Sequence, residues 1–253
     1  MRPVLAAFAC AAATVAGAQE RRAQPWDVRL DGVHENLDKG YEDWREVFGH
    51  VAWRPDNQTA IFGSYRTTER FGQRDREAGA GAYLPLGSAR TVAHVEGSYS
   101  ATHHVLARHV LLAEVAQPLG QGWVLTGGGR GAAYSTGDVF SVWLQAEKYV
   151  GDFRFGWHAQ VSRLEGASWS PAHRLTASWY RGELTFATLT LASGREVENV
   201  PPDGLLVNDV RAASLSGSYE LAPRWALTGE VGSSRQGDLY TRRTLRLGTR
   251  FLF

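Results

Sequence analysis

This sequence is almost without sulfur: its single cysteine is Cys10 and its single methionine is Met1. With one cysteine there is no intrachain disulfide and no multi-thiolate metal site to staple the fold. Lysine is nearly as scarce. Lys39 and Lys148 are the only two, so arginine carries almost all the basic charge. Long apolar runs are missing too. After the N-terminal stretch no segment approaches the roughly 18 consecutive apolar residues that a membrane-crossing helix requires, and the mean hydropathy is −0.29. Neither sign of charge is in excess, with 27 Lys and Arg against 26 Asp and Glu. A nucleic-acid partner calls for a basic face, so none is expected. Sustained helical periodicity is absent as well.

Residues 1–18 read as a secretory signal peptide. Arg2 supplies the positive region, Val4 to Val15 the apolar one, and Ala16-Gly17-Ala18 a small-residue cleavage site. A lipoprotein reading through Leu5 to Cys10 fits less well, because it cuts very early and places Phe8 awkwardly. Residues 19–253 then form one domain, since no linker or low-complexity tract divides them.

What is present in place of helical pattern is alternation with period two. In the terminal segment Leu245, Leu247, Phe251 and Phe253 share one face, while Arg242, Thr244, Arg246, Gly248 and Arg250 share the other. Phe153, Phe155, Trp157, Ala159 and Val161 alternate in the same way with Arg154, Gly156, His158, Gln160 and Ser162. A soluble sandwich also alternates. Here the alternation recurs many times, follows a secretion signal and ends on a terminal Phe. Trp53, Tyr83, Trp123, Tyr149, Trp179, Tyr219 and Trp225 lie near strand ends, where an interfacial aromatic girdle belongs.

Turn spacing points the same way. Tight turns around Pro55–Asn57, Gly87, Gly120, Gly151, Gly182 and Pro223 alternate with more variable connections. The longest of these is read as a loop from Ser193 to Asn208. The count predicts about 14 antiparallel strands, with about 12 as the alternative, in one up-and-down transmembrane β-barrel. The first segment, from Trp26 to Val33, is the faintest.

Several local strings resemble the YaiO family of outer-membrane β-barrels. They are Tyr41-Glu42-Asp43-Trp44, Glu69-Arg70-Phe71-Gly72, Tyr83-Leu84-Pro85-Leu86-Gly87 and Lys148-Tyr149-Val150-Gly151-Asp152-Phe153-Arg154. Gly194-Arg195-Glu196-Val197-Glu198-Asn199-Val200 and Gln236-Gly237-Asp238-Leu239-Tyr240-Thr241-Arg242-Arg243 continue the likeness. The resemblance implies a single barrel in the cell outer membrane of a Gram-negative bacterium, with the lipid bilayer as its surroundings. It implies no particular reaction.

A search for chemistry finds little. Gly166-Ala167-Ser168-Trp169-Ser170 lacks the final glycine of a nucleophile elbow. The run Gly127 to Gly131 has no P-loop lysine and reads as strand interior. His103, His104 and His109 read as a loop tip in preference to a metal site, and His94 with Ser98 lies too far apart along a strand for a dyad. No catalytic residue, metal or cofactor is expected.

The informative residues are the charges on the polar faces: Glu96, Glu114, Glu147, Arg154, Arg174, Glu230, Arg242, Arg246 and Arg250. Inside a barrel they need water or a partner. Two readings stay open. One is a channel-like lumen, rich in Arg and Glu, that passes small anionic or saccharide solutes. The other is a structural or assembly barrel with a filled lumen that meets an unidentified envelope partner through its outer loops. An envelope lipid-modifying enzyme is a weaker third. Arg195, Glu196 and Glu198 are candidate gating residues on the Ser193–Asn208 loop.

Overall fold

The computed structural model describes residues 25–87, 90–201 and 203–253. The signal peptide read at residues 1–18 lies outside them.

The described chain folds into fourteen strands: β1 (Trp26–Leu37), β2 (Trp44–Trp53), β3 (Ala60–Arg70), β4 (Gln73–Leu86), β5 (Thr91–Ser100), β6 (His109–Gly120) and β7 (Trp123–Tyr134). The second half holds β8 (Gly137–Val150), β9 (Phe153–Leu164), β10 (Ser170–Arg181), β11 (Thr185–Val200), β12 (Gly204–Ala222), β13 (Trp225–Gln236) and β14 (Tyr240–Leu252). Each strand pairs antiparallel with its neighbours in sequence, and β14 pairs with β1 to close the barrel. Closure leaves no unpaired edge, which is what lets a sheet reside in lipid. The faint first segment is a full strand and runs past Val33 to Leu37.

An even strand count puts the start of β1 and the end of β14 at one rim. Short turns such as 121–122 and 151–152 lie there, while the eight-residue segment 101–108 lies at the other. By the usual asymmetry the first rim is periplasmic and the second is the outer one.

The period-two pattern sorts the side chains. Leu111, Leu215 and Leu247 point outward and are more than half exposed, as lipid-facing residues must be. Trp26, Trp53, Trp123, Trp179, Trp225 and Phe253 ring the periplasmic rim on the same outer face. Two aromatics expected in that girdle, Tyr83 and Tyr149, point inward instead. Tyr83 stands opposite His94 and stacks on it at 4.2 Å, and Tyr149 stands opposite Arg154. A single residue step along a strand reverses the face, so nearness to a strand end does not fix direction.

The segment Ser193 to Asn208, expected to be a loop, is mostly strand. The β11–β12 ladder continues from Arg195↔Asp209 to Val200↔Gly204. Among the described residues of this segment, Pro201 and Asp203 are in turn conformation, and Gly204 beside them has a φ of +80°. The charges of Arg195, Glu196 and Glu198 hide the apolar alternation by which strands are recognised.

Candidate functional site: the lumen and its outer mouth

The polar faces of the strands meet inside the barrel, and the charges there are mostly paired. Arg154 lies 3.2 Å from Glu147 and Arg246 lies 3.6 Å from Glu230. Arg250 forms a two-pronged bond with Asp27, at 3.0 and 2.8 Å. Arg242 stands between Glu35 at 3.7 Å and Glu198 at 3.9 Å. Glu96 and Glu114 flank His94 at 3.6 and 3.1 Å. Arg174 also points inward but forms no ion pair among the described residues; it stands opposite His158 of β9.

Sequence reasoning named only the inward charges of later strands. It missed Asp27, Arg29, Asp31 and Glu35 of β1, Glu46 of β2, Arg66 of β3 and Glu77 of β4. Arg29 pairs with Asp31 at 2.6 Å and Arg66 with Glu77 at 2.9 Å. A signal was available: Asp27, Arg29, Asp31 and Glu35 alternate with Val28, Leu30 and Gly32. These additions change the electrostatics. Most lumen guanidiniums are matched by carboxylates, Arg130 and Arg174 forming no ion pair among the described residues, so an entering anion meets few unopposed cations.

Rings line a large part of the wall. Successive ring centroids run from Phe48 to His50 at 6.3 Å, His50 to Phe62 at 5.3 Å, Phe62 to Tyr83 at 5.7 Å and Tyr83 to His94 at 4.2 Å. Glu114 then bridges His94 to Trp143, whose indole Nε1 donates to Glu114 Oε2 at 3.1 Å. Trp143 in turn stacks with His158 at 6.2 Å. The belt spans β2 to β9. Two glycines make room for it. A Cβ on Gly128 would lie 2.5 Å from Glu114 Cβ and 2.6 Å from Trp143 Cζ2, and one on Gly81 would lie 2.4 Å from Phe62 Cζ. The glycine run around Gly128 is strand interior, as read from the sequence.

At the outer mouth two pieces of chain lean over the lumen. The first is the segment 101–108. Asp75 Oδ1 accepts from the His104 backbone N–H at 3.1 Å. Asp75 Oδ2 accepts from those of Val105 and Leu106 at 2.7 and 2.9 Å. Val105, Leu106 and Ala107 are buried, so the segment is tied down inside the rim.

The second piece is the tip of the β11–β12 hairpin. It departs from the wall at Gly194, whose φ is +146° and where a Cβ would come within 2.3 Å of Ala172 Cα. Beyond it Val197, Glu198, Asn199 and Val200 are all buried, so both faces of the hairpin are covered. Asn199 Nδ2 donates to the carbonyl of His104 at 3.0 Å, joining β11 to the connection between β5 and β6. Glu198 reaches Arg242 of β14. Arg242 is two strands from β12 on one side and the β5–β6 connection five strands from β11 on the other, so the hairpin crosses the mouth. Arg242 itself is braced by the Trp44 ring, 5.0 Å away, within a cluster formed by Trp44, Tyr240 and Leu37. Of the candidate gating residues, Glu198 lies in this crossing. Arg195 is on the exposed flank, 3.8 Å from Asp209, and Glu196 is half-buried opposite Asn208.

Outside the membrane-spanning strands one carboxyl shift is informative. The backbone N–H groups of Gln58 and Thr59 hold the Asp56 carboxyl below the usual range, at 2.7 and 2.6 Å. They fasten a periplasmic turn. The histidine cluster of the sequence disperses: His104 is bound to Asp75, and among the described residues no group of three or more His, Cys, Asp or Glu is placed to hold a metal.

The model of the YaiO membrane beta barrel domain matches residues 28–199, more than half of the chain. No curated protein matches the sequence. Among solved structures, the outer membrane protein Omp33 of Acinetobacter baumannii is similar with a TM-score of 0.58 at 12% identity, over 92% of this chain and 100% of that one. A bacterial polysaccharide outer membrane secretin is similar with a TM-score of 0.55 at 10% identity, over 92% and 100%. At such identities the likeness is one of fold alone. The closed fourteen-stranded barrel and the matched residues together make this chain a member of the YaiO membrane β-barrel family, resident in the outer membrane.

Proposed function

We propose that this protein is a gated diffusion channel of the outer membrane for small hydroxyl-rich solutes of the saccharide class. The β11–β12 hairpin tip is its movable lid. The observation that carries this reading is the way the hairpin crosses the mouth. Its polar ties to the far side are a hydrogen bond from Asn199 to His104 and a loose ion pair between Glu198 and Arg242. An individual hydrogen bond contributes about 1 kcal/mol, which is small enough for thermal or ligand-driven release.

Beneath the lid the wall favours a neutral polar solute. Paired charges offer donors and acceptors without a net field. The aromatic belt offers flat apolar faces, and a site that combines such faces with a few fixed polar groups is typical of small-molecule recognition. The anionic alternative is weaker, because Arg154, Arg246 and Arg250 already have carboxylate partners.

Purified protein in planar lipid bilayers should give discrete conductance steps, interrupted by a neutral oligosaccharide added on one side. Electrical silence at all voltages, with the hairpin tip present and with it deleted, would exclude a channel. A second reading has its own support. The inward side chains of Asp27, Asp31, Glu114 and Glu147 are all buried, as in a filled barrel acting through its loops. That reading predicts silence together with a reproducible crosslink from the segment 101–108 to an envelope protein.

A further inference from the structure

The outer face of β14, β1, β2, β3 and β4 carries a feature that conduction does not use. Near the outer rim an open groove of about 830 Å³ runs across these strands on the lipid side of the wall. Arg45, Arg74, Arg76 and His34 line its upper part. The register brings them together: His34 stands opposite Arg45, Arg45 opposite Glu69, and Glu69 opposite Arg74. Glu69 engages Arg74 at 2.9 Å and Asp43 engages His34 at 3.3 Å. Among the described residues Arg45 and Arg76 form no ion pair, although both are exposed.

The apolar part of the same groove fixes its depth in the membrane. One outward position below Arg45 on β2 is Val47, which is 51% exposed, and Tyr65 and Leu247 complete the row. Successive outward positions on a strand are about 6–7 Å apart. The arginines therefore stand just above the hydrocarbon boundary, at the height of the outer-leaflet headgroups. The basic row continues to Arg243 on β14, which is also exposed. Two acidic residues line the groove, Glu69 and Glu46, but Glu46 is buried on the lumen side, so the concentration of guanidiniums facing lipid complements an anion in the lipid itself.

We infer that this groove binds the phosphate-bearing headgroup of an outer-leaflet glycolipid, with Arg45 and Arg76 gripping phosphate and Val47, Tyr65 and Leu247 packing against acyl chain. The occupant is a lipid, because an apolar floor at membrane depth is open to acyl chains and offers nothing to free phosphate.

The test is native mass spectrometry of the delipidated protein in detergent, titrated with lipid A and separately with chemically dephosphorylated lipid A. Wild-type protein should retain one lipid A, and the dephosphorylated form should bind at least about tenfold more weakly, since loss of one charge-assisted contact costs about 1.4 kcal/mol or more. The double variant R45Q/R76Q should lose lipid A to a similar degree. Arg163→Gln, on β9 across the barrel, should not. Folding of each variant is checked by heat-modifiable gel mobility. If the double variant fails to fold, the single Arg45→Glu variant takes its place. Equal retention of the two lipids by the wild type, or equal retention of lipid A by wild type and arginine variants, would overturn the assignment. Competition by inorganic phosphate alone at millimolar concentration would also overturn it, by pointing to a free-anion site.

Discussion

Arg250, near the end of the last strand, grips Asp27, near the start of the first, with Nε and Nη2 on the two carboxylate oxygens at 3.0 and 2.8 Å. Arg54 joins the same carboxylate at 2.6 Å. The bond lies across the seam where the barrel closes, next to the Trp26 and Phe253 backbone pair. It is buried, so its two partners depend on each other. Asp27→Ala leaves two guanidiniums uncompensated there. Removing one partner of a buried pair costs about 3–5 kcal/mol. Unfolding in urea from lipid vesicles should show a loss near that range, and an unchanged midpoint would mean that water already compensates the arginines.

At the mouth, Asn199→Ala removes the bond to His104 with little change in shape. About 1 kcal/mol of closed-state preference should go with it, which is roughly a fivefold rise in the open-to-closed ratio. Single-channel recordings report that ratio directly. An unaltered open probability would show that the hairpin does not limit passage.

The aromatic belt depends on the absence of a side chain at Gly128. In Gly128→Ala the new methyl must displace Trp143 or Glu114. The cost is about 1–3 kcal/mol of overpacking, and the Trp143 bond to Glu114 should lengthen or break. Residence of a bound oligosaccharide, read from current-block duration, should shorten, whereas ordinary salt conductance should change far less. The same block time in the variant would remove Trp143 from the solute path.

Leu247 faces lipid near the middle of β14 and is 65% exposed, while its neighbour Arg246 faces the lumen. Leu247→Arg should cost about 1–3 kcal/mol in vesicle folding titrations, between the interfacial and midplane values, because it lies in the outer half of the hydrocarbon layer. A negligible cost would place β14 away from lipid.

The Asp56 turn predicts a pH dependence. Its folded-state pKa is lowered by the Gln58 and Thr59 N–H groups. The contribution to stability is therefore present above the unfolded carboxyl value, 3.8, and is lost as pH falls through the lower folded one. Asp56→Asn keeps an acceptor without the titration. Wild type should lose some stability between neutral pH and pH about 3 that the variant retains. Parallel curves for both would assign the acid response elsewhere.

Much of this was legible in the sequence, for a local reason. In a strand the face of each residue follows from parity. Leu245, Leu247 and Phe251 thus declare a lipid face, and Arg242, Arg246 and Arg250 an inner one, with no knowledge of what surrounds them. Turn residues set the strand count, and an even count sets the start of β1 and the end of β14 at one rim. The same reasoning faltered where parity was obscured. Nearness to a strand end does not reveal that Tyr83 and Tyr149 face inward, and the charges of Arg195, Glu196 and Glu198 hide the strand in residues 193–208.

Who meets whom was decided elsewhere. Parity places Arg250 inside but does not name Asp27, 223 residues away, as its partner; closure and register do. Nor does any local pattern take Asn199 across the mouth to His104, or gather Arg45 and Arg76 around one groove. The sequence alone determined the membrane, the barrel and the two faces of its wall. The tertiary structure decided that most of the lumen's arginines are paired with carboxylates and its mouth crossed by a hairpin, because pairing across strands and across the lumen depends on distances that a strand's own periodicity does not contain.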